Sequence, residues 1–135
     1  MAKTNFFEIL SFFIFPFVVL IIHLIFSFYE IYNTFSWIDI PMHFLGGLSI
    51  AFTSILFLRF FRRKGMLEIK RWFIFFFIVI SLVALVAVLW EFYEFLLKYF
   101  FNLNTQPSLE DTLLDLFMGL VGGIAGVIIF REGLK

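Results

Sequence analysis

The stretch WFIFFFIVISLVALVAVLWEFYEFLLKY, Trp72 to Tyr99, decides the fold class. No charge interrupts it between Trp72 and Trp90, and about 20 mostly apolar residues are enough for a helix to cross a bilayer. Two acids, Glu91 and Glu94, then enter before the apolar run ends. Three other segments have the same character: about Phe6 to Tyr29, Pro41 to Phe61 and Leu109 to Phe130. The chain has 135 residues, 63% of them hydrophobic and 24 of them Phe. A soluble domain of that length has no interior large enough for so much apolar side chain, whereas lipid accepts it. The sequence therefore predicts an all-α, polytopic membrane bundle of four transmembrane helices forming a single domain over residues 1–135. In the first segment the apolar run is too long for a signal peptide, and "LIIHLIFSFYEIYN" offers no small-residue cleavage site. That segment is expected to stay as a helix, kinked at Pro16.

Ten basic and ten acidic residues balance, so nothing in the overall charge attracts nucleic acid. Cysteine is absent, which removes disulfides, thiolate nucleophiles and thiolate metal sites. Distribution is more informative than total. Arg59, Arg62, Arg63, Lys64, Lys70 and Arg71 crowd the connection between spans two and three, and Lys3, Arg131 and Lys135 mark the termini. The other connections, "EIYNTFSWID" and "FNLNTQPS", hold no basic residue, with Lys98 just before the second. The positive-inside rule then predicts both termini on the cytoplasmic side of a cell inner membrane. Tyr29, Tyr32, Trp37, Trp90, Tyr93 and Tyr99 would form the outer aromatic belt, with Trp72 inside.

Seven of the ten acids fall at the extracytoplasmic ends under this orientation: Glu30, Asp39, Glu91, Glu94, Glu110, Asp111 and Asp115, together with His43. Some have ordinary explanations. Ser108 and Asp111 have the spacing of a capping box, and Glu110 suits a helix N-terminus. Asp39 precedes Pro41 as a cap would, and Glu94 can pair with Lys98 at i+4. Asp115 ("LLDLF") and Glu91 ("LWEFY") do not fit that pattern, because each lies inside a helix between apolar neighbours. An acid at mid-membrane costs about 2.5–3.5 kcal/mol, so such residues normally face the bundle and have partners.

Helical spacing extends each acid into a stripe. Asp111 and Asp115 continue through Gly119, Gly122 and Gly126; Asp39 and His43 continue through Gly47, Ala51 and Ser54. Glu91 and Glu94 continue through Ala87, Ala84 and Ser81. Small residues let membrane helices approach closely, so these three faces are expected to meet and to gather the acids at one mouth of the bundle. A shift of 72 places Asp39 on Asp111, His43 on Asp115, Gly47 on Gly119 and Arg59 on Arg131, the pattern of two duplicated helical hairpins. His23, one to two turns below Glu30, is read as an interhelical hydrogen bonder.

The ordered motifs "DIPMHFLGG", "WEFYEF" and "EDTLLDLFMGLVGG" resemble the YjdF-like family of small bacterial and archaeal membrane proteins and, more distantly, the VanZ-like superfamily. The resemblance covers spans two to four and falls on Asp39, His43, Glu91, Glu94, Asp111 and Asp115. It implies no assigned activity for YjdF-like proteins and an association with glycopeptide-antibiotic resistance for VanZ-like ones. This chain is shorter than typical YjdF-like members. Carboxylates and one imidazole converging from several helices suit a divalent metal ion: oxygen ligands suit Mg, Ca or Mn, and the histidine admits Zn or Fe. The expected function is metal-dependent chemistry or binding on a lipid or polyprenyl-phosphate headgroup, with the metal as cofactor and Asp or Glu as base. Two other classes remain: a metal-ion or proton-coupled transporter, for which a homo-oligomer could build a pathway from symmetric halves, and a non-catalytic membrane scaffold.

Overall fold

The computed structural model describes residues 6–130, so Lys3, Arg131, Glu132 and Lys135 lie outside the described residues. Regular structure within them is helical, with no strand: α1 (Phe6–Ser11), α2 (Ile14–Phe28), α3 (Ile31–Thr34), a 3-10 turn (Ser36–Ile38), α4 (Asp39–Arg63), α5 (Trp72–Phe101) and α6 (Leu109–Phe130). Among the described residues, three helices are long and apolar enough to cross a membrane: α5, α6, and α4 with the 3-10 turn that leads into it. The expected first span is different. It is divided into α1 and the shorter apolar α2, with a turn at Phe12 and Phe13.

Pro16 gives the physical reason for the division. Its ring carries no N–H to donate to the carbonyl four residues back, Phe12, and it crowds that carbonyl. The backbone tightens there, with Phe12 and Phe13 donating to Ile9 and Leu10. The freed Phe12 carbonyl accepts a hydrogen bond from Thr53 Oγ1 of α4 at 2.8 Å. In a bilayer a carbonyl released from a helix has to find such a partner, so the break also ties the first segment to α4. Phe12 and Phe15 add edge-on ring contacts with Phe57 and Phe52.

α4 and α6 run parallel and form the closest contact in the bundle. A Cβ built on Gly47 would lie 1.8 Å from the Gly119 carbonyl oxygen, and one on Gly122 would lie 2.0 Å from that of Phe44. The two backbones therefore touch where glycine leaves room, as small residues allow in membrane helices. At the far end Arg59 Nη2 donates to the Phe130 carbonyl of α6 at 2.5 Å. The small-residue stripes expected on α4 and α6 are buried: Gly47, Ala51 and Ser54 on one, Gly119, Gly122 and Gly126 on the other.

The stripe expected on α5 is different. Ser81 is exposed among Phe77, Ile78 and Leu82, and the helix instead buries Phe75, Val79, Val83 and Glu91, four or eight residues apart. Val83 explains the difference, because its methyl groups fill the notch over Gly123, where a Cβ would come within 2.8 Å of them. Close approach needs a small residue on one helix only, and α6 supplies it. Ala51, Ile55, Phe75, Val79, Val83 and Val127 form the resulting core. α2 packs on α4 and buries none of its own side chains. At the basic end Arg63 pairs with Glu8.

Candidate functional site

The Gly47–Gly119 contact fixes what lies one helical turn away from it, at the opposite end from Arg59. Four residues before Gly47 stands His43, and four before Gly119 stands Asp115, so the two side chains are held face to face. Asp115 Oδ1 is 3.7 Å from His43 Nε2. Asp39, a further turn up α4, brings Oδ1 to 3.4 Å from the same nitrogen. From α5, Glu91 Oε1 lies 4.0 Å from the other ring nitrogen, Nδ1. His43 is thereby met by carboxylates from α4, α5 and α6.

The donor atoms form two groups sharing His43: Asp39, His43 and Asp115, and His43, Glu91 and Glu94. Within each group one ligand atom per residue lies within 4.8 Å of the others. Three of these acids are almost wholly enclosed, with relative exposures of 6% for Glu91, 4% for Glu94 and 2% for Asp115. Five of the six residues singled out in the sequence thus come together. Asp111 does not join either group. Its backbone N–H is capped by Ser108 Oγ at 3.1 Å, as the capping box predicted, and its Oδ2 is buried with no hydrogen-bond partner. Glu110 and Glu30 are exposed.

Two expectations about the acids change. Asp39 does not cap from outside its helix: α4 begins at Asp39, and its carboxylate reaches His43 instead. Glu94 does not pair with Lys98. Lys98 Nζ donates to the Gln106 carbonyl, while Glu94 turns inward and accepts from Trp90 Nε1 at 3.0 Å. Its second oxygen, Oε2, is buried without a partner.

The residues that hold the acids were not legible in the sequence. Asn102, in the left-handed conformation, ends α5 and turns the chain back over the helix end. The returning loop places Gln106 Nε2 2.9 Å from Glu91 Oε2 and 3.1 Å from the Glu91 carbonyl, and Thr105 donates to the Glu94 carbonyl at 2.9 Å. The one available signal was polarity, a Thr-Gln pair between two apolar spans. His23 behaves as the interhelical bonder expected of it. Its Nδ1 is 2.9 Å from the Tyr32 hydroxyl, and its ring meets Trp90 edge-on with centroids 4.9 Å apart. Burial, reinforced by the negative charge of Asp39, pushes the Tyr32 phenol above its usual range, so it carries its proton beside His23.

Every ion pair these acids make within the described residues is with His43. Four carboxylates around a single imidazole leave a deficit of positive charge, which protons or a bound cation must supply. Apolar helices long enough to cross a bilayer, carrying a buried carboxylate–histidine cluster at one end, define a membrane protein. More particularly, the chain belongs to the family described as predicted membrane protein (DUF2238), whose model matches residues 2–133 and so takes in the first helices as well. No curated protein and no solved structure matches the chain.

Proposed function

We propose that this protein binds a divalent cation at the His43 cluster, one set of carboxylates (Asp39 and Asp115, or Glu91 and Glu94) coordinating it beside one ring nitrogen and the other set facing the opposite nitrogen, and uses it to hold the phosphate headgroup of a membrane lipid. The observation that carries the reading is the unpartnered Oε2 of Glu94. A buried carboxylate oxygen without a donor is costly, and metal coordination is one of the few ways to satisfy it in an apolar bundle. The spacing fits as well: ligands at about 2.1 Å around a tetrahedral ion stand about 3.4 Å apart, close to the 3.4 and 3.7 Å found on the Nε2 side. Gln106 and Trp90 hold the carboxylates of Glu91 and Glu94, the outer support that metal ligands usually have. The mixed oxygen and nitrogen set favours Mn, Fe or Zn over Ca.

The charge asymmetry supports placing the cluster at the extracytoplasmic surface, with the Arg and Lys residues of the connection between α4 and α5 inside. A one-sided site is preferred to a transporter because two of the hydroxyls deeper in the bundle are committed to backbone: Ser49 to the Gly46 carbonyl and Thr53 to that of Phe12. The likeness to YjdF-like and VanZ-like proteins accords with a small membrane protein acting at the cell surface.

Elemental analysis of detergent-purified protein tests the reading, with Glu94→Gln and Asp115→Asn beside the wild type. About one metal ion per chain in the wild type and a loss of tenfold or more in both variants is expected. Wild-type protein that takes up no Mn, Fe or Zn after dialysis against each, and whose unfolding temperature ignores chelator, would sink it.

A further inference from the structure

One to two turns deeper than the cluster, between α2, α4 and α5, the bundle encloses a cavity of about 240 Å³. Its walls include Leu20 of α2, Ile50 of α4 and Val83 and Val86 of α5, and its polar end is formed by His43 and His23. Leu20 and Val86 are exposed, so the cavity opens sideways between α2 and α5 towards the bilayer. Ser49 also lines it, but its hydroxyl donates to the Gly46 carbonyl of its own helix and leaves the wall apolar. An apolar cavity stays free of water, and hydrocarbon is what its mouth faces.

Gly46 shows that the space is kept rather than left over. Gly47 and Gly122 are glycine because backbones press on them, but a Cβ on Gly46 would meet nothing within 4 Å. Nor does its conformation call for glycine, since Gly65 alone among the glycines of the described residues has a positive φ. A glycine inside a helix is less favourable than alanine, so packing and conformation both leave Gly46 unexplained. Its position explains it, because any side chain there would project into the cavity.

We propose that the cavity seats a single hydrocarbon chain of a membrane amphiphile whose polar head lies against the His43 cluster. This names the ligand class for the cation site and rests on that reading only for the identity of the head. A cavity of about 150 Å³ admits benzene, so 240 Å³ accommodates a stretch of about nine or ten carbon atoms. The edge-on His23–Trp90 pair marks the boundary between chain and head, and Trp90 is also the residue that hydrogen-bonds Glu94. One side chain thus touches both halves of the site.

Photolabelling in nanodiscs tests this, using dodecanol and dodecyl phosphate that each carry a mid-chain diazirine. Wild-type protein should label at Ile50, Val83 and Val86 at least fivefold more than at Phe77 and Leu82, which face the bilayer. Gly46→Leu, and Val86→Trp at the mouth, should abolish that excess while leaving labelling at Phe77 unchanged. Uniform labelling along α5, or an excess that survives both variants, would overturn the proposal. After loading with Mn, dodecyl phosphate should label the cavity more than dodecanol does, and chelator should make the two equal. A cavity excess seen equally with both probes, with and without Mn, would keep the chain site and remove the cation reading.

Discussion

His43 has two ring nitrogens and divides them between two sets of carboxylates. Nε2 faces Asp39 and Asp115, and Nδ1 faces Glu91. A neutral imidazole has one lone pair to give, so whichever nitrogen binds a cation, the other carries its proton on the side of the opposite set. The orientation of Glu91 therefore matters as much as its charge, and Gln106, anchored on the Glu91 carbonyl, holds the carboxylate through a hydrogen bond to Oε2. Gln106→Ala should weaken cation affinity about 10–100-fold while removing no ligand, as measured by competition with a chelator of known affinity. Unchanged affinity would mean that the Gln106 hydrogen bond does not position Glu91 for the cation. At this scale Asp115 and Glu91 could be read directly, because each breaks an apolar run with nothing local to pair it. Glu94 was singled out with them, but its partner was not legible, because Lys98 stood at a plausible i+4 distance and only the fold sends that lysine to the loop and turns Glu94 inward.

Helices α4 and α6 approach closely through a few positions rather than through every small residue they carry. Substituting alanine separates the two kinds. At Gly47 and Gly122 the new methyl would overlap a carbonyl of the facing helix, and the backbones would have to move apart. At Gly119 it would meet the Ala87 methyl at an ordinary 3.6 Å. Gly47→Ala and Gly122→Ala should each cost about 1–3 kcal/mol or more, and Gly119→Ala well under ~1 kcal/mol, in reversible unfolding in mixed micelles. Equal effects at all three would contradict the packing. Stripes on α4 and α6 were legible because both partners there are small. That of α5 was not: Ala84 and Ser81 have the right size but the wrong angle, and a valine entering a glycine notch leaves no mark in its own helix. Pro16 was legible as a disturbance, but the Thr53 hydroxyl that turns it into a link between segments was not.

For the molecule as a whole, composition already required lipid, and the separation of acidic from basic residues survives folding. The cluster lies at one end of the bundle, while Arg59 bonds the Phe130 carbonyl and Arg63 meets Glu8 at the other. The absence of cysteine makes orientation simple to measure with single-cysteine variants in intact cells. Cysteines at Trp37 and Asn104 should react with an impermeant maleimide from outside, and one at Met66 should react only after permeabilisation. The reverse pattern would turn the cluster towards the cytoplasm and require a ligand from the inner leaflet.

The convergence of three helices on His43 also bears on how the protein is made. A chain emerging from the ribosome presents Asp39 and His43 first, Glu91 next, and Asp115 only with α6. Until α6 has entered beside α4, neither Asp115 nor the Gly47–Gly119 contact that presses it against the imidazole is in place. On the proposed function, capture of a cation would wait for α6, and a loaded site would report that α6 has been inserted in register.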